Sequence, residues 1–266
     1  MRSFPLSATE DFLFFQTTFC LSTKQNGTGS TLSRMEWTNF LGDGLCPEDI
    51  GKPRKILEIG AGSGAWAIHA AKLYPEADVL AIDMNPLPAR PLPPNLSYQQ
   101  VNILEPFPFP AGTFDVVHIR LVLIHLPDAF SVLSRIIDLV APGGWLLADD
   151  LDWVENFEGL DNAPGIKGGL LHVIRSTQAV KGDPHIGPTL KPGCCVFLNA
   201  IPEGTEADLA EFSRLFKETL TRAVAEAPLQ TPAQKEMQKG FIDDMARGGD
   251  WKYSVQFYFT WSKKRV

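Results

Sequence analysis

Ile56-Leu57-Glu58-Ile59-Gly60-Ala61-Gly62-Ser63-Gly64-Ala65-Trp66 decides how the rest of this sequence is read. Ile56 to Ile59 close a short β-branched and apolar run that suits a strand covered on both faces. Three glycines then turn the chain. At Gly60, Gly62 and Gly64 a side chain would forbid the backbone angles or keep a ligand off the main chain. Ala65 to Tyr74, rich in alanine, predicts a helix. Strand, glycine turn and helix together predict the opening of a nucleotide-binding βαβ unit.

A glycine turn alone is a weak signal, and the next strand strengthens it. Asp78 to Ile82 is a short apolar run that ends in Asp83, placed where a carboxylate accepts both hydroxyls of a ribose. A strand-ending turn residue before Asn85-Pro86 is the competing reading of Asp83.

The chain has 266 residues, 44% hydrophobic and 21% charged, which suits one elaborated α/β domain with a substantial core. A net charge of -7 argues against nonspecific binding to nucleic acid and for small or neutral partners. Cys20, Cys46, Cys194 and Cys195 form neither a disulfide framework nor, with the five histidines, a metal-ligand spacing. No cationic, long apolar leader opens the sequence and no run of about eighteen apolar residues occurs. These features lead us to expect a soluble, cytoplasmic protein without a metal or membrane partner; the oligomeric state is silent.

Residues 1–54 precede the βαβ unit and read as an N-terminal cover or lid of two short helices, with an apolar patch at Phe12 to Phe15 and a polar link from Ser22 to Ser30. Residues 55–266 form the main domain. Its third strand runs from Leu96 to Val101 and is followed by Asn102-Ile103, and the fourth covers Thr113 to Arg120. An amphipathic helix from Pro127 to Val140 ends at Ala141-Pro142-Gly143-Gly144, and a fifth strand from Trp145 to Ala148 leads into Asp149-Asp150. A variable insert of about residues 151–204 follows. Helices are expected over Gly168 to Val180 and Thr205 to Ala225, a sixth strand within Cys194 to Ala200, and an aromatic last strand over Tyr253 to Trp261. Pro188 and Pro192 limit any helix before the sixth strand to about one turn.

Glu58 to Gly64, Asp83, Asn102, Phe114-Asp115-Val116-Val117 and Pro142-Gly143-Gly144 resemble the ordered motifs of class I S-adenosylmethionine-dependent methyltransferases. Trp66, the proline-rich loop Pro86 to Pro94 and His118-Ile119-Arg120 resemble more narrowly the fungal LaeA-like and UMTA-like methyltransferases of small-molecule biosynthesis. The resemblance implies a Rossmann-like, doubly wound α/β sheet of about seven strands, mostly parallel with an antiparallel last strand. It implies S-adenosyl-L-methionine as cofactor, with Gly60, Gly62 and Gly64 along its amino acid and ribose. Glu58, Ala61 and Met84 belong to the same contact set, and Asp83 takes the ribose hydroxyls. Asn102 falls where the family has an aspartate beside the adenine amino group, with Ile103 on the adenine face; a capping asparagine is the other reading. Arg120 falls near the cofactor carboxylate or the transferring methyl, and an ion pair to a nearby aspartate competes with that role.

A sulfonium is already an activated methyl donor, so catalysis is chiefly alignment, with a base only where the acceptor carries a proton. His125, in the turn after the fourth strand, and Asp149 and Asp150, which end the fifth, are the candidate bases; a capping or surface imidazole is the alternative for His125. His118 reads as structural, and His172 and His185 line the pocket or face solvent. Two other classes share these motifs. One is a protein that keeps the cofactor fold for a regulatory, binding or non-methylating role. The other is a nicotinamide oxidoreductase, since Gly60, Gly62 and Ala65 satisfy G-x-G-x-x-A. Glu58, Gly64 and Pro142-Gly143-Gly144 speak against the latter.

Overall fold

Lys55–Ile59 forms β2, buried from Ile56 onward, and lies between two parallel neighbours, β3 (Asp78–Asp83) and β5 (Phe114–Arg120). The computed structural model describes residues 12–14, 44–46, 48–153, 157, 160–179, 182–186, 193–197, 207–226, 231–249, 251 and 253–266. From β2 the chain moves outward through α1 (Ala65–Leu73) and β3 to β4 (Leu96–Gln100) at one edge of the sheet. It then returns to the far side of β2 as β5, continues through α2 (Ala129–Leu139), and adds β6 (Val140–Asp152) in parallel. The strand order thus reverses between β2 and β5, and a parallel sheet binds ligands in the crevice outside such a switch point.

β8 (Ser254–Lys264) runs antiparallel to β6, pairing Lys263 with Trp145 and Gln256 with Asp152. The sheet has eight strands, one more than the expected seven or so, five of them mutually parallel. The extra strand is β1 (Phe12–Phe14), a correction to the short helix expected there. β7 (Gly193–Phe197) covers only the Ser254–Tyr258 portion of β8's outer edge. The backbone groups of Ser262 to Lys264 remain to be paired, and the aromatic segment pairs them. The rest of the expected cover, residues 1–11 and 15–43, lies outside the described residues, as do 187–192 before β7.

Ala141 to Gly144, expected to separate helix from strand, is taken into β6 as an irregularity. Register against β5 slips there from Phe114↔Val140 to Val116↔Trp145, with Gly143 at φ 77°. In the second half, α3 (Pro164–Ala179) starts four residues earlier than expected, with proline in its first turn where no amide is needed. α4 (Ala207–Glu226) matches the expected helix closely. α5 (Pro232–Arg247) was not anticipated, because its sequence is polar and carries little apolar periodicity. Its capping box, in which the Thr231 hydroxyl accepts from Gln234 N–H and the Gln234 side chain accepts from Thr231 N–H, is the local signal. α5 packs on α3 through a Gly165–Gly240 contact so close that a Cβ on Gly165 would lie 2.1 Å from the Gly240 carbonyl. Asp244 of α5 caps α3 by accepting from the amides of Gly165 and Ile166.

Candidate active site

The glycine turn leaves β2 at the switch point. Gly60, Gly62 and Gly64 adopt φ of 71°, 51° and 73°, the left-handed region, and the Gly60 and Ala61 amides both donate to the Ile82 carbonyl. The three glycines face different surroundings. A Cβ on Gly60 would stand 2.2 Å from Val122 Cγ2, and one on Gly64 3.3 Å from Leu87 Cδ2, whereas one on Gly62 would meet nothing within 4 Å. Gly60 is thus required by protein packing, while Gly62 borders open space.

Asp83, at the end of β3, bridges the turn to its own loop. Its Oδ2 accepts from Gly62 N–H at 2.8 Å and its Oδ1 from Asn85 N–H at 2.8 Å. Tyr98 donates its hydroxyl to the Asn85 carbonyl and Gln100 donates to the Met84 carbonyl, so β4 holds this corner while the Met84 side chain stands 62% exposed. One strand further, the Asn102 side-chain oxygen accepts from Leu104 N–H at 3.1 Å, the geometry of the capping alternative. Its second lone pair remains chemically able to take another donor. Sequence reading missed Arg135 of α2, whose guanidinium donates to the Ile103 and Glu105 carbonyls at 2.9 and 2.6 Å and lies over the Phe107 ring. Arg135 thereby fixes the loop that presents Ile103. No local motif marks it, because its targets are carbonyls some thirty residues away in sequence.

Behind the glycine turn four ionisable side chains share a nearly dry space. Glu58 is buried and accepts from Ala67 N–H in the first turn of α1. Burial, more than any neighbour, pushes its carboxyl up to about 8. His118 lies 3.9 Å from Glu58 and 3.5 Å from Asp149, and its ring stacks flat on Trp66 with centroids 3.9 Å apart. Burial depresses this imidazole to about 4 despite the Asp149 carboxylate, so it is neutral and accepts from Arg120 Nη2 at 3.3 Å. Arg120 Nε stands 3.4 Å from Asp149. The structure therefore places Arg120 in the aspartate ion pair that was its competing reading. Asp149, a candidate base, is a buried partner of Arg120 and His118, with 7% of its side chain exposed.

Past Arg120 the chain is strained. Leu121 is the one non-glycine residue with positive φ among the described residues, at 51°, and its amide donates to the Asp149 carbonyl. Val122 then covers Gly60, and Leu123–His125 form a 3₁₀ turn. Asp150, fully buried, accepts from the amides of Ile124 and Leu151, and burial pushes its carboxyl up to about 7. His125 ends the turn with its side chain exposed, and its immediate surroundings lower its imidazole from the usual value by desolvation.

The arrangement fits an adenosyl cofactor. Bare backbone borders open space at Gly62, a carboxylate stands beside it at Asp83, and a clamped loop carries Ile103 one strand further. Among the described residues no group of three metal-ligating side chains occurs, and no helix is long and apolar enough to cross a membrane.

Comparison with known proteins agrees with this geometry. A family described as a methyltransferase domain matches residues 35–178, more than half of the chain. Methyltransferase str2 of Strobilurus tenacellus is 58% identical over 85% of this chain and 88% of its own length. Methyltransferase str3 of the same organism is 50% identical over 85% and 89%. The secondary metabolism regulator LAE1 of Hypocrea atroviridis is 30% identical over 41% of this chain and 32% of its own. The oxidoreductase reading of the glycine pattern is set aside by these matches.

Proposed function

Because the chain belongs to the methyltransferase-domain family and is an S-adenosylmethionine-dependent methyltransferase, we propose that its acceptor is a small molecule of secondary metabolism, taken up at the carboxyl edge of β5 and β6. The observation that carries this reading is the open space at Gly62 beside Asp83, at the switch point between β2 and β5. S-adenosylmethionine supplies an electrophilic methyl group and a good leaving group, so the protein's task is alignment and, for a protonated acceptor, proton removal.

In this reading the backbone at Gly60, Ala61, Gly62 and Gly64 carries the methionine and ribose portions. Asp83 exchanges its bonds to the Gly62 and Asn85 amides, in part, for the ribose hydroxyls. Met84 and Ile103 pack on the adenine, and Asn102 accepts from its amino group. Glu58 holds the first turn of α1 and, with His118 and Asp149, fixes Arg120 at the end of β5, where its charge favours the cofactor's carboxylate. His125 lines the acceptor's approach.

The names of str2 and str3, relatives over most of the chain, support an enzyme rather than a regulator. The partial likeness to LAE1 keeps a regulatory protein as the second reading. Transfer of a labelled methyl from S-adenosylmethionine into a fungal metabolite extract tests the choice. A labelled small molecule formed by the wild type and absent with Gly62→Val supports the enzyme reading; cofactor binding without any labelled metabolite supports the other.

A further inference from the structure

Residues 84–95 join two parallel neighbours, β3 and β4, without forming helix or strand. Such a crossover is ordinarily helical, and here the five prolines between Pro86 and Pro94 remove amides that a helix would use. Both ends of the connection are fastened. At the start the Asn85 amide donates to Asp83, Tyr98 donates to the Asn85 carbonyl, and Leu87 packs onto the core beside Gly64. At the end the Asn95 side-chain amide donates to the carbonyls of Ala71, Tyr74 and Ala77 at 3.1, 3.1 and 2.9 Å, and the Leu96 amide donates to the Pro93 carbonyl.

Between these anchors the chain stands off the protein. From Pro86 to Leu92 no backbone amide or carbonyl is hydrogen-bonded among the described residues. The chain bends at Ala89, and beyond the bend Arg90, Pro91, Leu92 and Pro94 are exposed while Pro93 is half-buried. Proline fixes φ at positions 91, 93 and 94, and Arg90, Leu92 and Pro93, each preceding a proline, are steered to extended angles. This is polyproline II, a conformation with a solvated backbone and three residues per turn. That period sets Pro91 and Pro94, both exposed, on one edge. Stiffening of the crossover accounts for the prolines. It does not account for Arg90, whose guanidinium makes no hydrogen bond or ion pair among the described residues, or for Leu92 left 37% exposed beside it.

We propose that Arg90-Pro91-Leu92-Pro93-Pro94 is a docking ligand for a partner protein that carries an SH3-type groove. Aromatic side chains of the groove take the edge formed by Pro91 and Pro94, and an acidic side chain beside them pairs with Arg90. The open carbonyls before Pro93 accept from the hydroxyl and indole groups of such a groove. A segment already extended and anchored at Asn95 loses little conformational freedom when it docks. Charge selects the acidic rim. Arg90 is the one Lys or Arg between Lys72 and Arg120 in a chain of net charge -7, so an acidic groove is repelled by the protein as a whole and admitted at this point.

The test titrates the full chain into a panel of purified, nitrogen-labelled SH3 domains that have an acidic pocket beside the aromatic groove, followed by NMR. At least one domain is expected to show saturable shifts confined to that groove. Arg90→Glu should weaken this binding about tenfold or more, and the Pro91→Ala/Pro94→Ala double variant should do so comparably. Lys52→Glu, which removes an exposed cation elsewhere, should bind as the wild type does. Replacing the acidic pocket residue of the domain by lysine should restore its binding to Arg90→Glu, a charge exchange that an unfolded variant could not show. Arg90 has no partner to lose, so thermal unfolding of Arg90→Glu should match the wild type. Groove shifts with no domain of the panel overturn the proposal, as does equal binding by Arg90→Glu and wild type or an equal loss in Lys52→Glu. Binding by WW domains and by none of the SH3 domains overturns it as well.

Discussion

Replacing Gly60 and Gly62 separately by alanine separates packing from ligand space, although the two glycines are adjacent members of one motif. Both have positive φ, 71° and 51°, so each alanine carries about 1 to 2 kcal/mol of left-handed backbone strain. At Gly60 the new Cβ would also stand 2.2 Å from Val122 Cγ2, adding about 1 to 3 kcal/mol of overpacking. Gly60→Ala is therefore expected to lose about 2 to 5 kcal/mol of stability. Gly62→Ala, with nothing within 4 Å of its Cβ, should lose only the strain. Adding Val122→Ala to Gly60→Ala removes the struck methyl and should return about 1 to 3 kcal/mol as coupling energy. Denaturant unfolding of these three variants and of Val122→Ala alone measures this, and calorimetry with S-adenosylhomocysteine measures the other half. Gly62→Ala should bind at least about tenfold more weakly, a 1.4 kcal/mol effect, because its methyl enters the space open to the ligand. Equal stability of the two single variants, or wild-type affinity in Gly62→Ala, would refute the division of labour within the turn.

Asp83→Ala should weaken S-adenosylhomocysteine by about 1.5 to 3 kcal/mol, the range for hydrogen bonds to a charged group, and calorimetry at matched ionic strength decides it. Arg135→Ala frees the carbonyls of Ile103 and Glu105, so it should raise the KM for S-adenosylmethionine several-fold while leaving kcat within about twofold; a fall in kcat alone contradicts the role given to that loop. The Glu58 carboxyl is raised from 4.5 to about 8 in the fold, so the unfolded chain binds fewer protons between those values and stability falls as pH rises through the interval, by at most about 1.4 kcal/mol per pH unit. Glu58→Gln keeps an acceptor for the Ala67 amide and should flatten that alkaline decline in urea unfolding; an unchanged slope removes Glu58 as its source.

The sequence by itself determined what is local. A β-branched run, three glycines and an alanine-rich helix specify strand, turn and helix through their own backbone preferences, and Asp83 follows one strand later. The nucleotide-type unit was legible for that reason, as was the amphipathic α2; its cofactor was implied only by the resemblance of the ordered motifs to a known family. Polar α5 was not, because its helix is anchored by a capping box and by glycine contacts with α3 rather than by an apolar stripe. β1 was not, because a three-residue aromatic segment becomes a strand only where β8 leaves an edge to pair.

At the site, tertiary structure decided which charged groups are spent on one another. Arg120 and Asp149 are equally plausible as ligand or base until the parallel register of β5 and β6 sets them side by side and buries them. Gly60 and Gly62 read identically in sequence, and only the arrival of Val122 from the end of β5 makes one a packing requirement and leaves the other beside open space. His185 meets Asp152 across 33 residues, brought there by buried neighbours and a backbone bond to Trp153, a proximity that no spacing along the chain encodes.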